Sequence, residues 1–413
     1  MECPRCDGWL PQAAHYCHHC GHDLVSQDVQ RKKSYAAQPN EPVLSFSPVS
    51  TIMPRGTAGH PGTYRVALLI TLLIMVVTAA LGAVPLALMV AAFAIPIVYI
   101  VYIYDVNLWE DHPILVTLLA FVFTFALGVG WTLLWQQLRG TNAMVALPDA
   151  AQPFHTRGFL VMVLLVPVVG EVIRQLGPVV LASRKEFDDL MDGFSFGVIS
   201  GVAYAAAETL VLYWSMLQIG FAGTQHIDAL QMIVLLLLHG FVKPIIYGTA
   251  SGIAVAEFSG LGKGYDGFTG RYLRGVALAI GVVAAFNLII FLSGLVPNGG
   301  VSVILALIGG VALLAGVTLA ARNVLHVALM EAAMEAAARG AGVGADGELH
   351  FCVNCEMPLL PDALFCSTCG LGIAAVQRVP VPAGGAGEVP DAEAGAADTR
   401  QAQDQTDRTE EER

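Results

Sequence analysis

The segment Asp192-Gly-Phe-Ser-Phe-Gly197-Val-Ile-Ser-Gly201-Val-Ala-Tyr204-Ala205-Ala-Ala-Glu208-Thr209 carries one carboxylate inside an apolar run that continues to Leu217. Wound as a helix, such a run crosses a hydrocarbon layer of ~30 Å. Gly193, Gly197, Gly201 and Ala205 recur every four residues and so share one helix face. A stripe of small side chains lets a second helix approach closely in a bilayer. The stripe leads to Glu208. An ionisable group at that depth is costly and faces a partner or a cavity.

The surrounding sequence extends this pattern. The chain has 413 residues, of which 55% are hydrophobic and 13% charged, whereas soluble domains carry about a quarter charged residues. The deficit lies in roughly 66–330. Eight apolar runs predict spans at 65–83, 86–105, 114–135, 158–182, 193–217, 229–256, 272–294 and 301–321. The first two form a hairpin around Gly82 and Pro85. The expected fold is thus an all-α polytopic membrane protein of about eight helices, 64–321. Residues 322–349 read as a helical extension and linker leaving the membrane. No inverted repeat is evident, which argues against a transporter. The net charge of −12 lies in good part in an acidic tail, 372–413, whose Pro/Gly/Ala- and Gln-rich composition predicts disorder. The Met1-Glu-Cys3 start has neither the basic nor the apolar region of a leader.

All eight cysteines stand in two matching patterns. Cys3-Pro-Arg-Cys6 is followed after ten residues by Cys17-His-His-Cys20-Gly21, and Cys352-Val-Asn-Cys355 after ten by Cys366-Ser-Thr-Cys369-Gly370. Paired CxxC knuckles offer four thiolates, the donor set of a closed tetrahedral zinc site. Disulfides are the alternative, but the repeated two-residue spacing is that of a metal knuckle. His15, His18, His19 and His22 crowd the first knuckle and read as polar surface groups, because four thiolates already fill the shell. Thiolate ligands persist in a reducing medium, which places both termini in the cytoplasm and requires an even number of crossings. Loop charges agree. Arg31, Lys32, Lys33, Arg55, Arg65, Arg184, Lys185, Lys263, Arg271, Arg274, Arg322 and Arg339 fall on the inner side, and only Arg139 and Arg157 on the outer. The acidic loop Asp105–His112 runs against the trend. Between knuckle and membrane, 23–63 reads as a flexible linker whose basic run can touch anionic headgroups.

Deep inside the predicted spans fall Glu171 and Arg174, Glu208, His239 and Lys243, and Asn287. At a rise of about 1.5 Å per residue, Glu171, Glu208 and His239 lie about 20, 22 and 15 Å along their helices, so all reach mid-membrane. Pro167 and Pro178 flank Glu171, and Pro244 follows Lys243. Each proline frees a carbonyl that lipid cannot satisfy, so protein or water must meet it. His239, Lys243 and Tyr247 give the sixth span one polar face. Two readings stay open on these residues. The groups converge on one wet site, or Glu171–Arg174 and Glu208–Lys243 are separate structural ion pairs.

At these positions the chain resembles PrsW-type intramembrane proteases, of the wider clan that includes the CAAX prenyl endopeptidases. The family's Glu-Glu-x-x-Lys helix is matched by Gly170-Glu171-Val-Ile-Arg174. Its aspartate-glycine helix ending Phe-Ala-x-x-Glu-Asn is matched by Asp192 to Thr209, and its histidine-led helix by His239-Gly-Phe-Val-Lys243. Of the final His-x-x-x-Asn only Asn287 is present, with Val283 in the histidine place. Gly170 replaces the first glutamate, and Thr209 the asparagine. The resemblance implies a membrane-embedded peptidase that cuts in or near a transmembrane substrate. Glu171 would be its base, or a divalent-metal ligand with Glu208 and His239. Arg174, Lys243 or Asn287 would stabilise an oxyanion. The missing glutamate equally allows a non-catalytic scaffold or sensor.

Residues 1–22 and 350–371 resemble bacterial zinc ribbons, with an aromatic before the third cysteine, Tyr16 or Phe365, and a glycine after the fourth. This implies two structural zinc ions, a bacterial cytoplasmic membrane and a candidate cytoplasmic protein partner. The ribbons lack the basic and aromatic density needed for nucleic acid.

Overall fold

A computed structural model describes residues 2–11, 13–24, 63–106, 114–139, 154–184, 189–218, 229–262, 264–340 and 350–373. The predicted linker, the acidic loop after the second span and the tail lie almost wholly outside them. Among the described residues the chain is helical, with extended pairing only as isolated bridges in the two cysteine-rich ends. The helices are α1 (Thr63–Ala80), α2 (Val84–Val106), α3 (Ile114–Arg139), α4, α5 (Leu190–Leu212), the short α6 (Trp214–Gln218), α7, α8 (Gly270–Ser293) and α9 (Gly299–Gly340). α4 joins Thr156–Phe159, the π-helical Leu160–Leu165 and Val166–Ala182. α7 joins Ala229–Leu237, the π-helical Leu238–Val242 and Lys243–Ser259.

Six of these helices, α3, α4, α5, α7, α8 and α9, are long and apolar enough to cross a membrane. The other two of the eight expected spans fall on α1 and α2, whose apolar stretches Val66–Ala80 and Val84–Tyr99 are shorter. Gly82, at φ 75°, turns the chain between them. The last span and the extension after it form one helix, α9, of 42 residues. Arg322 is therefore a buried helix residue rather than a loop charge, and His326 and Glu331 are buried further along. Leu69, Leu73, Leu119, Leu164, Leu273 and Ile308 face outward, while the polar side chains of α4, α5 and α7 are buried. An apolar exterior around a polar interior suits hydrocarbon as the solvent.

α5 is the central helix, buried continuously from Gly193 to Thr209. Its glycine stripe meets a second small-residue row on α7. A Cβ on Gly201 would fall 2.5 Å from Gly248 Cα, and one on Gly197 2.7 Å from Gly252 Cα. The two backbones can touch only because neither carries a side chain there. This contact sets α5 against the half of α7 that begins at Lys243.

Both π-helical turns end just before a proline, and the cause is local. The Val166 N–H bonds back five residues to Val161 O, so the next bond in that register would run from residue 167 to Met162 O. Residue 167 is Pro and has no N–H to give. In α7 the Lys243 N–H reaches Leu238 O, and Pro244 cannot continue to His239 O. The carbonyls of Met162 and His239 are thereby freed in the bundle interior.

Candidate functional site

The freed carbonyls are met by side chains from other helices. Asn287 Nδ2 on α8 donates to Met162 O at 2.8 Å. Thr209 Oγ1 on α5 approaches His239 O at 3.5 Å, the limit of a hydrogen bond. The sequence expected protein or water at such carbonyls but did not link either partner to them.

Two buried ion pairs flank this region. Lys243 Nζ lies 2.7 Å from Glu208 Oε2 and 3.4 Å from Thr209 Oγ1. Arg174 Nη2 lies 2.6 Å from Glu171 Oε2, and Arg174 Nε 3.1 Å from the same oxygen. Ser251 Oγ donates to Glu171 Oε2 at 3.1 Å, and Gln175 Nε2 to Oε1 at 2.5 Å. Glu171 is thus saturated by donors. The Arg174 guanidinium lies against the rings of both Tyr204 and Tyr247, 4.9 and 5.0 Å from their centroids. A Cβ on Gly170 would stand 2.9 Å from Tyr204 Oη and 3.2 Å from Arg174 Nη1. In this chain tyrosine and arginine crowd the space where the family motif carries its first glutamate.

Glu208, His239, Lys243 and Asn287 line one small cavity with Tyr247, Trp135 and apolar groups of α4, α5 and α8. Its volume is about 20 Å³. That admits roughly one water. His239 packs edge-on to the Tyr213 ring at 5.2 Å, and its Nδ1 has no hydrogen-bond partner among the described residues. Tyr247 Oη donates to Asn287 Oδ1 at 3.3 Å. Of the six residues expected at the site, four share the cavity. Glu171 and Arg174 form a separate cluster that reaches it through Tyr247. Glu171, Glu208 and His239 do not gather as one ligand set. Among the described residues, only the two cysteine groups bring three or more ligand-type side chains within 4.8 Å of one another. Tyr204, Tyr247, Ser251 and Gln175 complete the network. Of these only Tyr247 had a sequence signal, its place on the polar face of α7.

The cysteine groups fit a metal. Sγ atoms stand 3.7 Å apart for Cys3–Cys20 and Cys352–Cys369, and 3.6 Å for Cys6–Cys17 and Cys355–Cys366. A tetrahedron of sulfurs about 2.3 Å from zinc spaces them about 3.8 Å apart, whereas a disulfide needs about 2.05 Å. All eight cysteines are free thiols. The two knuckle modules also dock on one another. His15 and Tyr16 N–H groups both donate to Ser367 O, and Leu364 and Phe365 N–H groups both donate to His18 O. Phe365 lies on Gly21, and Tyr16 on Gly370. The aromatic and glycine that mark each ribbon in the sequence are therefore contacts to the other ribbon. His18 is buried at this junction rather than exposed as expected. Burial, with His19 beside it, holds its imidazole below the usual range. Ala13 and Leu360 pack on Met334 and Ala338 of α9, so the pair sits on the end of that helix.

A bundle of apolar helices around paired charges and a polar cavity defines an integral membrane protein with polar groups buried in the bundle. The family model for the PrsW family intramembrane metalloprotease matches residues 112–331, just over half of the chain, and the protein belongs to that family. No curated protein matches the chain. No solved structure does so either.

Proposed function

We propose that the protein hydrolyses a peptide bond in or beside a transmembrane segment of another protein, with the Glu208–His239 cavity as its reaction centre. The observation that supports this is the convergence of Glu208, His239, Lys243 and Asn287 on a space of about 20 Å³. Glu208 takes a proton from a water in that space, and the water's oxygen attacks the scissile carbonyl carbon. The His239 Nδ1 orients that water. Lys243 lines the cavity, and its ammonium supplies positive charge to the oxyanion. Glu208 then returns its proton to the leaving amine, so the carboxylate acts as base and then as acid. Glu171 is a positioning residue in this scheme, since it fixes Arg174 against Tyr247. A peptide needs more space than one water, so the helices around the cavity part to admit it.

The metal in the family's description needs donors that this set does not present. The Glu208 carboxylate is taken by the Lys243 ammonium, and Glu171 by Arg174. His239 does not join them at ligand distance. No step above therefore passes through a metal. Zinc belongs, on donor chemistry, to the two cysteine groups, which it would hold folded. Both ribbons lie on the cytoplasmic side in this reading, where thiolates stay reduced.

Gly170 in place of a glutamate, and two carboxylates each neutralised by its own cation, favour a second reading. The membrane domain would be a non-catalytic scaffold, and the ribbon pair would recruit a cytoplasmic protein. Mapping new protein N-termini in membranes from cells with wild-type protein, Glu208→Gln or His239→Ala separates the two. Peptidase activity gives termini in or next to membrane segments that vanish in both variants at equal protein level. Termini independent of Glu208 would leave the scaffold.

A further inference from the structure

A second cavity, of about 430 Å³, opens at the ribbon end of the bundle. Four helices build it: the start of α5, the end of α7, the start of α8 and the middle of α9. Its rim carries Arg271, Arg274 and Asn323, and its wall Ile253 and Leu278. Arg271 and Arg274 are exposed, and neither forms an ion pair among the described residues. Arg274 uses only its Nε, on Gly270 O at 3.2 Å. Glu257, half-buried, lies on the same lining. The loop after α7 is braced, with Gly262 N–H donating to Glu331 Oε1 at 3.0 Å.

Polarity is graded along the cavity. From Arg271 to Leu278 the α8 helix rises about 10 Å, from two guanidiniums to bare aliphatic surface. Leu278 both lines the cavity and is 45% exposed, so the apolar end leaves aliphatic surface free for an acyl chain. A free anion would use only the charged end, and a neutral apolar ligand only the other. An anionic head on an apolar tail matches both. Basic pockets between helices at a membrane surface hold such headgroups.

We infer that this cavity binds one anionic phospholipid. Its phosphodiester sits between Arg271 and Arg274, its acyl chain leaves past Leu278, and Glu257 accepts a hydrogen bond from a headgroup hydroxyl. The bound lipid ties together the ends of α5, α7, α8 and α9. The proposal is independent of whether the protein cuts peptides.

The test uses the full chain in phosphatidylcholine nanodiscs doped with phosphatidylglycerol, followed by native mass spectrometry of the released protein. Wild type retains one phosphatidylglycerol in preference to phosphatidylcholine. Arg271→Gln with Arg274→Gln weakens that retention roughly 30-fold, the equivalent of about 1 kcal/mol for each arginine. Leu278→Trp, which fills the apolar end but leaves both charges, also expels the lipid. Zinc content, and thermal unfolding of the delipidated protein in detergent, stay at wild-type values in both. Equal retention by wild type and the double arginine variant overturns the proposal. Displacement of the lipid by millimolar inorganic phosphate, with Leu278→Trp without effect, overturns it in favour of a free-phosphate site.

Discussion

Lys243 Nζ stands 2.7 Å from Glu208 Oε2, and both side chains are nearly excluded from solvent. The neighbouring pair, Arg174 and Glu171, is as tight and completely buried. The two pairs differ in what the cation can do alone. A buried lysine can release its proton, while a guanidinium stays charged. Glu208→Gln therefore leaves a neutral amine, whereas Glu171→Gln strands a cation against two tyrosine rings. Breaking a buried pair at one end costs about 3–5 kcal/mol when the charge left behind persists. The expected result is a near wild-type melting temperature for Glu208→Gln and a large drop for Glu171→Gln. Glu171→Gln with Arg174→Met recovers much of the loss. Thermal unfolding in detergent decides this, and equal destabilisation by the two single variants would refute the asymmetry.

The Asn287–Met162 bond makes a sharper prediction. Asn287→Ala leaves Met162 O unpaired inside the bundle, at a cost of about 1–3 kcal/mol. That carbonyl lacks a donor only because residue 167 is proline. Pro167→Ala returns an N–H to the position five residues on. The double variant should thus lose less stability than Asn287→Ala alone, and a double-mutant cycle measures the coupling. If Asn287 serves only in catalysis, stability is unaltered and the coupling is zero.

Much of this was visible in the residue pattern, and the limits have physical causes. The stripe Gly193–Gly197–Gly201 announced a close helix contact, because period four in an apolar run has that one use in lipid. The prolines announced freed carbonyls, because Pro lacks an N–H wherever it stands. The cysteine spacing announced metal knuckles. What the sequence left open was which charges would meet. Helix period places residues on a face, but a π turn admits an extra residue and rotates all that follows. Two such turns, one in α4 and one containing His239, alter how Glu171 and His239 face their neighbours. The sharing of Glu208, His239 and Lys243 without Glu171 depends on those rotations. Ribbon docking was hidden for a different reason, since Tyr16 and Phe365 look like internal ribbon residues until the partner is present.

The α5–α7 seam supplies a test of packing. Gly201→Val drives a branched side chain into the Gly248 backbone, where a Cβ alone already comes within 2.5 Å. Backbone on both sides leaves nothing to give, so the loss should exceed the 1–3 kcal/mol typical of overpacking. Gly130→Val on α3 meets open space and serves as the matched control. Gly201→Val should express poorly and lose its sharp unfolding transition, with the control near wild type. A well-folded Gly201→Val protein would mean that the two helices are not held at this distance.

The ribbon pair predicts that the two metal sites fail together. Tyr16 rests on Gly370 and Phe365 on Gly21, and both glycines hold a positive φ, 74° and 69°. An alanine at either would put a methyl 2.9 Å from the partner's ring in a backbone region that costs L residues about 1–2 kcal/mol. Each knuckle also receives backbone hydrogen bonds that exist only while the other is folded. Wild-type protein should carry about two zinc ions per chain. Cys366→Ser removes a thiolate from one site, and the other site, although it keeps all four, should release its zinc several-fold faster to a chromogenic chelator. Gly370→Ala should speed release from both. Unaltered release from the amino-terminal site in Cys366→Ser would show that the ribbons fold independently and that their contact contributes nothing to metal retention.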